Sequence, residues 1–75
     1  MGKGQWTLAD VEAVAKNYGS ILTTKAGARH PWRFVKDGKG VYPVKAHNGK
    51  RSVIPWVYIR GLCRAHEIPE TAFTG

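Results

Sequence analysis

Lys25-Ala26-Gly27-Ala28-Arg29-His30-Pro31-Trp32-Arg33-Phe34 places a loop of small and cationic residues directly ahead of an alternating aromatic segment. Side chains alternate along a strand, so Trp32 and Phe34 share one face and Arg33 points to the other. One face can anchor the segment while the other reaches an anion. Continued to Lys36, the alternation predicts a strand over 31–36. Upstream, Ser20 to Thr24 is short and β-branched; downstream, Val41 to Ala46 is a third extended run. Thr24 to Arg29 forms the wider connection, and Asp37-Gly38-Lys39-Gly40 supplies the glycines of a hairpin. The three runs therefore read as one antiparallel meander. Pro43 cannot donate to a ladder, so the third strand lies at an edge or its regular part ends there.

Helices are predicted on both sides of the meander. Leu8, Val11, Val14, Ala15 and Tyr18 recur at helical spacing and Gly19 follows as a stop, which predicts a helix over 8–18. Thr7 and Asp10 are placed for a capping box, and Trp6 for a hydrophobic staple on Val11. After the sheet, His47 to Arg51 reads as a polar, cationic loop turning at Asn48-Gly49. Pro55 suits the first position of a second helix, with Trp56, Ile59, Leu62, Cys63 and Ala65 or His66 on its apolar stripe, and Ile68-Pro69 closing it. Arg60 and Arg64 project from one side of that helix. His66 is placed to interact with the helix dipole, and Gly61 weakens the helix by about 1 kcal/mol relative to alanine. Pro69 to Phe73 reads as a last turn with Phe73 as an apolar clasp. The order helix, three strands, helix predicts a two-layer α+β domain: a three-stranded antiparallel sheet with both helices on one face and the other face open.

A chain of 75 residues holds a single domain, 1–75, with one modest core; Met1 to Gln5 is a Gly/Lys lead expected to be flexible. The one cysteine, Cys63, has no disulfide partner within the chain, so the fold stands on packing or on a partner. A reducing cytoplasm suits it. No apolar signal core opens the sequence and no apolar run approaches the roughly 20 residues of a membrane span, so a soluble, cytoplasmic protein is expected. His30, His47, His66 and Cys63 lack the spacing of a zinc site, and neither metal nor cofactor is expected.

The formal charge is +7, and all 12 lysines and arginines except Lys3 fall between Ala13 and His66, against a single acid, Asp37. Such a field attracts polyanions, nucleic acid first, and acidic proteins or anionic membrane second. A surface balanced only for solubility would mix both signs. Lys45, Lys50, Arg51, Arg60 and Arg64 are candidate phosphate contacts, which position a nucleic acid without reading its sequence. Trp6, Trp32 and Trp56 are expected in the core. If the face bearing Trp32 and Phe34 is the open one, the pair becomes a stacking platform for unpaired bases; if it faces the helices, Arg33 and Val35 point outward.

This order of elements, with Lys25, Gly27, His30 and the Trp32-to-Phe34 strand, then Tyr42-Pro43-Val44 and Ile59-Arg60-Gly61-Leu62-Cys63-Arg64, resembles the HicA family of small toxin ribonucleases. The likeness runs from Asp10 to about Phe73. It implies the layout of double-stranded-RNA-binding domains and a translation-independent endoribonuclease acting on messenger RNA, neutralised by a HicB-like antitoxin. The chain departs from the family pattern at two positions: Ala28 stands in place of a serine, and Arg29 in place of the first histidine, leaving His30 one position later.

The residue types suffice for the implied reaction. RNA is cut without a metal when a base removes the proton of a 2′-hydroxyl, the oxyanion attacks the adjacent phosphorus, and a cation steadies the charge that builds there. His30 is the candidate catalytic base, since the ordinary imidazole pKa is about 6.5. Arg29 and Arg33 offer planar donor forks to phosphate oxygens, and Lys25 adds a third cation. The alternatives are a non-catalytic RNA- or DNA-binding domain of the same fold, and a small module that grips an acidic protein.

Overall fold

The computed structural model describes residues 5–74; of the lead expected to be flexible, residues 1–4 lie outside the described residues. The elements follow in the order α1 (Leu8–Ala15), β1 (Ile21–Thr24), β2 (Trp32–Lys36), β3 (Gly40–Pro43), α2 (Trp56–His66) and α3 (Thr71–Thr74), with 3-10 turns at Lys16–Tyr18 and Gly49–Arg51. This is a small α+β domain in which the strands form an antiparallel sheet of order β1-β2-β3.

Local chemistry accounts for the first helix and its end. The Thr7 hydroxyl accepts from the Asp10 N–H at 3.2 Å and the Asp10 carboxylate accepts from the Thr7 N–H at 3.0 Å, so the expected capping box is closed. The 3-10 turn tightens the last residues of the predicted helix, and Gly19 stops it at φ 83°, a left-handed conformation that costs glycine little. Trp6 packs against the core and meets Phe73 edge-to-face at 5.1 Å, so α3 supplies a partner that the staple reading did not foresee. The Ile54 N–H donates to the Trp6 carbonyl at 2.7 Å, tying the N-terminal segment to the one that leads into α2.

Register decides which sheet face is covered. Leu22, Phe34 and Tyr42 lie opposite one another across the three strands, and Ile21, Val35 and Val41 form the next row. Leu22 and Phe34 are buried with Leu8, Val11 and Ala15 of α1, Ile59, Leu62 and Cys63 of α2, and Phe73 of α3. The row Ile21, Val35 and Val41 is exposed. The second reading of the aromatic strand therefore holds: Phe34 faces the helices, Trp32 packs half-buried against the core, and neither offers an open stacking platform. The third strand is at an edge and ends at Pro43; one further bond follows, from the Val44 N–H to the Trp32 carbonyl at 3.0 Å.

Three expectations for α2 change. Pro55 caps the helix rather than opening it. Trp56, assigned to the buried stripe, is 38% exposed, because the buried Ile54 occupies the core where the chain enters the helix. His66 is fully buried rather than a charge at the helix end, sharing a 2.8 Å hydrogen bond between its Nδ1 and the Ser20 hydroxyl. Nε2 of His66 has no hydrogen-bond partner among the described residues. Burial, and then the nearby Lys36 ammonium, push this imidazole below its ordinary pKa of 6.5; the Gly40 backbone acts in the opposite direction without reaching hydrogen-bond geometry. The Lys36 Nζ instead donates to the His66 carbonyl at 2.5 Å, so a lysine serves the helix end in its place.

Gly61 also has a tertiary reason. Tyr42 of β3 lies across α2 at this residue, and its hydroxyl donates to the Tyr58 carbonyl at 2.9 Å. A Cβ at Gly61 would overlap that hydroxyl and stand 3.1 Å from the ring Cζ. Burial first, then Tyr58 and Cys63, raise the Tyr42 pKa above its usual value, so the phenol remains a donor at neutral pH.

Candidate functional site

The β1–β2 connection is held closed at its base, where the Lys25 N–H donates to the Pro31 carbonyl at 2.9 Å. Arg29 is exposed at this end of the sheet and His30 is half-buried. Arg33 follows on the open face of β2, between Thr23 and Pro43 in register. Its Nη2 donates to the His30 carbonyl at 3.4 Å, while its Nε is buried with no partner among the described residues. Lys25, Arg29, His30 and Arg33 therefore gather at one end of the sheet.

Trp32 links this end to the second cationic loop. A Cβ at Gly49 would stand 3.8 Å from the Trp32 indole, in ordinary van der Waals contact with it. The loop is fixed by the Asn48 N–H donating to the Ser52 hydroxyl at 2.8 Å and by the Ser52 carbonyl accepting from the Leu8 N–H at 2.8 Å. Lys45 and His47 are exposed ahead of this turn, and Lys50 and Arg51 are exposed within it. Lys50 is 3.0 Å from the Glu12 carboxylate. The indole thus keeps to the core side, as the core reading expects, with Gly49 of the second loop against its edge.

Arg60 and Arg64 belong to a different surface. They project from α2, which packs on the covered face of the sheet, whereas Arg33 lies on the open face. With Val57 and Gly61 they line a hollow of about 410 Å³, counting its open mouth. Arg60 Nε is 3.5 Å from the Glu70 carboxylate, and Arg64 has no ion-pair partner among the described residues. Helical spacing joined these two arginines correctly to each other, but nothing in the sequence placed them relative to His30.

Ser20 and His66 have the contact of a nucleophile and its base, yet both are fully buried and no substrate reaches them. Cys63 is buried at the same helix end, and burial raises its thiol pKa, which leaves it unreactive. Among the described residues no three His, Cys, Asp or Glu side chains converge to hold a metal ion, and no helix is long and apolar enough to cross a membrane. In comparisons with known proteins, no family model matches the chain, and neither a curated protein nor a solved structure does.

Proposed function

We propose that this protein is a small RNA-binding domain of the double-stranded-RNA-binding type that cleaves messenger RNA as HicA toxins do. The observation that carries the reading is the gathering of His30, Arg29, Arg33 and Lys25 at one end of the sheet, where Arg33 Nη2 reaches the His30 carbonyl. His30 takes the proton of a 2′-hydroxyl, the oxygen attacks the neighbouring phosphorus, and the bond to the 5′-oxygen breaks. Arg33 and Arg29 hold the phosphate oxygens as charge builds on them. The products are a 2′,3′-cyclic phosphate and a 5′-hydroxyl. Lys45, Lys50 and Arg51 carry the backbone of the strand into the site.

Purified protein incubated with labelled single-stranded and duplex RNA in EDTA, beside a His30→Ala variant, tests this reading. Cleavage that survives EDTA and disappears in the variant is the expected result. Intact RNA retarded equally by both proteins would end the nuclease claim and leave a non-catalytic binding domain.

A second reading is favoured by the open sheet face, where Ile21, Val35 and Val41 lie side by side, exposed by 51, 37 and 51%. An aliphatic row beside Arg33 suits an acidic protein with an apolar patch better than it suits RNA. A partner covering this face, such as the HicB-like antitoxin that the resemblance implies, would also cover Arg33.

A further inference from the structure

The outer side of α2 carries a surface that the fold does not use. Val53, Trp56 and Val57 expose 52, 38 and 69% of their area at the start of the helix. Arg60 follows Trp56 by one turn and Arg64 follows Arg60 by one more, so an indole and two guanidiniums succeed one another at intervals of about 6 Å along the axis. Val57, Arg60, Gly61 and Arg64 line a hollow beside the two guanidiniums. Gly61 contributes no side chain to it. Lys50 and Arg51 immediately precede Ser52 and Val53 in the chain, so two more cations lie close in sequence to the start of the strip.

We propose that this strip binds an unpaired stretch of RNA, one base stacking on the Trp56 indole and the phosphates beside it resting on Arg64 and Arg60. The proposal rests on the reading of the protein as an RNA binder and adds the class of substrate. A duplex would present phosphates to the arginines but keep its base faces hidden, leaving Trp56, Val53 and Val57 uncovered. An acidic peptide would satisfy the arginines but would match the indole only where an aromatic or proline side chain fell in register. A single strand offers planar bases and charged phosphates in alternation, which is what the strip presents in complement. Arg60 is partly committed to Glu70, so Arg64 is the stronger phosphate contact.

Binding of a labelled 2′-O-methyl oligouridylate, which lacks the attacking hydroxyl, is measured against a blunt duplex of the same length. Wild-type protein, Trp56→Ala, Trp56→Phe and Arg64→Ala are compared at several salt concentrations, with circular dichroism confirming the fold of each. Trp56→Ala weakens single-strand binding about 5- to 100-fold, the range of one lost base–aromatic stack, and leaves duplex binding within about 2-fold. Trp56→Phe retains most of the affinity but loses the indole fluorescence quenching seen with wild type. Arg64→Ala lowers the single-strand salt slope by roughly 0.7, the value of one phosphate contact. Folded variants that bind the single strand as wild type does would overturn the strip while leaving RNA binding intact. Polyglutamate displacing the oligonucleotide from wild type but not from Trp56→Ala would reassign the strip to an acidic protein. Wild-type protein that binds neither RNA would refute both this proposal and the function on which it rests.

Discussion

Replacing Gly61 with alanine should destabilise this protein, although the same change in an exposed helix interior stabilises by about 1 kcal/mol. The new Cβ takes the space of the Tyr42 hydroxyl, and the ring must swing off the helix. The 2.9 Å bond to the Tyr58 carbonyl is then lost, at about 1 kcal/mol; the carbonyl itself keeps its intrahelical partner, so no orphan group is left behind. Swinging the ring out exposes about 60–80 Å² of apolar surface, worth about 1.5–2 kcal/mol at roughly 25 cal/mol per Å². Against the gain in helix propensity, the net loss is about 1.5–2 kcal/mol. Urea unfolding reads this as a lower midpoint at unchanged slope. In a Tyr42→Ala background the obstacle is gone, and Gly61→Ala should recover its ordinary gain of about 1 kcal/mol, a coupling of about 2.5–3 kcal/mol across the cycle. A Gly61→Ala protein more stable than wild type, or a coupling below about 0.5 kcal/mol, would refute the claim that Tyr42 dictates this glycine.

Thr7→Ala opens the capping box and should cost about 1 kcal/mol in urea unfolding; a loss under about 0.3 kcal/mol would show that solvent replaces the cap without penalty. The buried His66 makes stability depend on pH. Its folded pKa lies below 6.5, so the unfolded chain takes up the extra proton: this contribution is complete above about pH 6.5 and is lost as pH falls through 6.5 toward the folded value. The unfolding midpoint should therefore drop as pH falls below about 6.5, and more steeply than in a His66→Leu variant that remains folded; parallel profiles would sink the assignment.

The sequence made β2 the centre of the sheet because its alternation, flanked by two short extended runs and glycine-bearing connections, fits a meander. It also gave α1, whose cap, apolar spacing and stop are local signals. The candidate site was legible as a set of residue types in one loop. Its division into two surfaces was not, because Arg33 and Arg60 are assigned to opposite layers by long-range packing. Trp56 was misplaced since helical spacing reports a stripe and not where the core ends; Ile54 had already filled that place.

What the sequence determined by itself is what near neighbours decide: strand and helix identity, the capping box, the stop at Gly19, the edge role of Pro43, and the cationic middle of the chain. Tertiary structure alone decided which sheet face was covered, that His66, one of two candidates for the end of the apolar stripe, is buried on Ser20, and that Gly61 makes room for Tyr42. The division is physical. Backbone preference and periodicity act over a few residues, whereas burial sets the protonation of an imidazole, the need for a glycine and the exposure of an indole, and burial is created only when segments distant in sequence pack together.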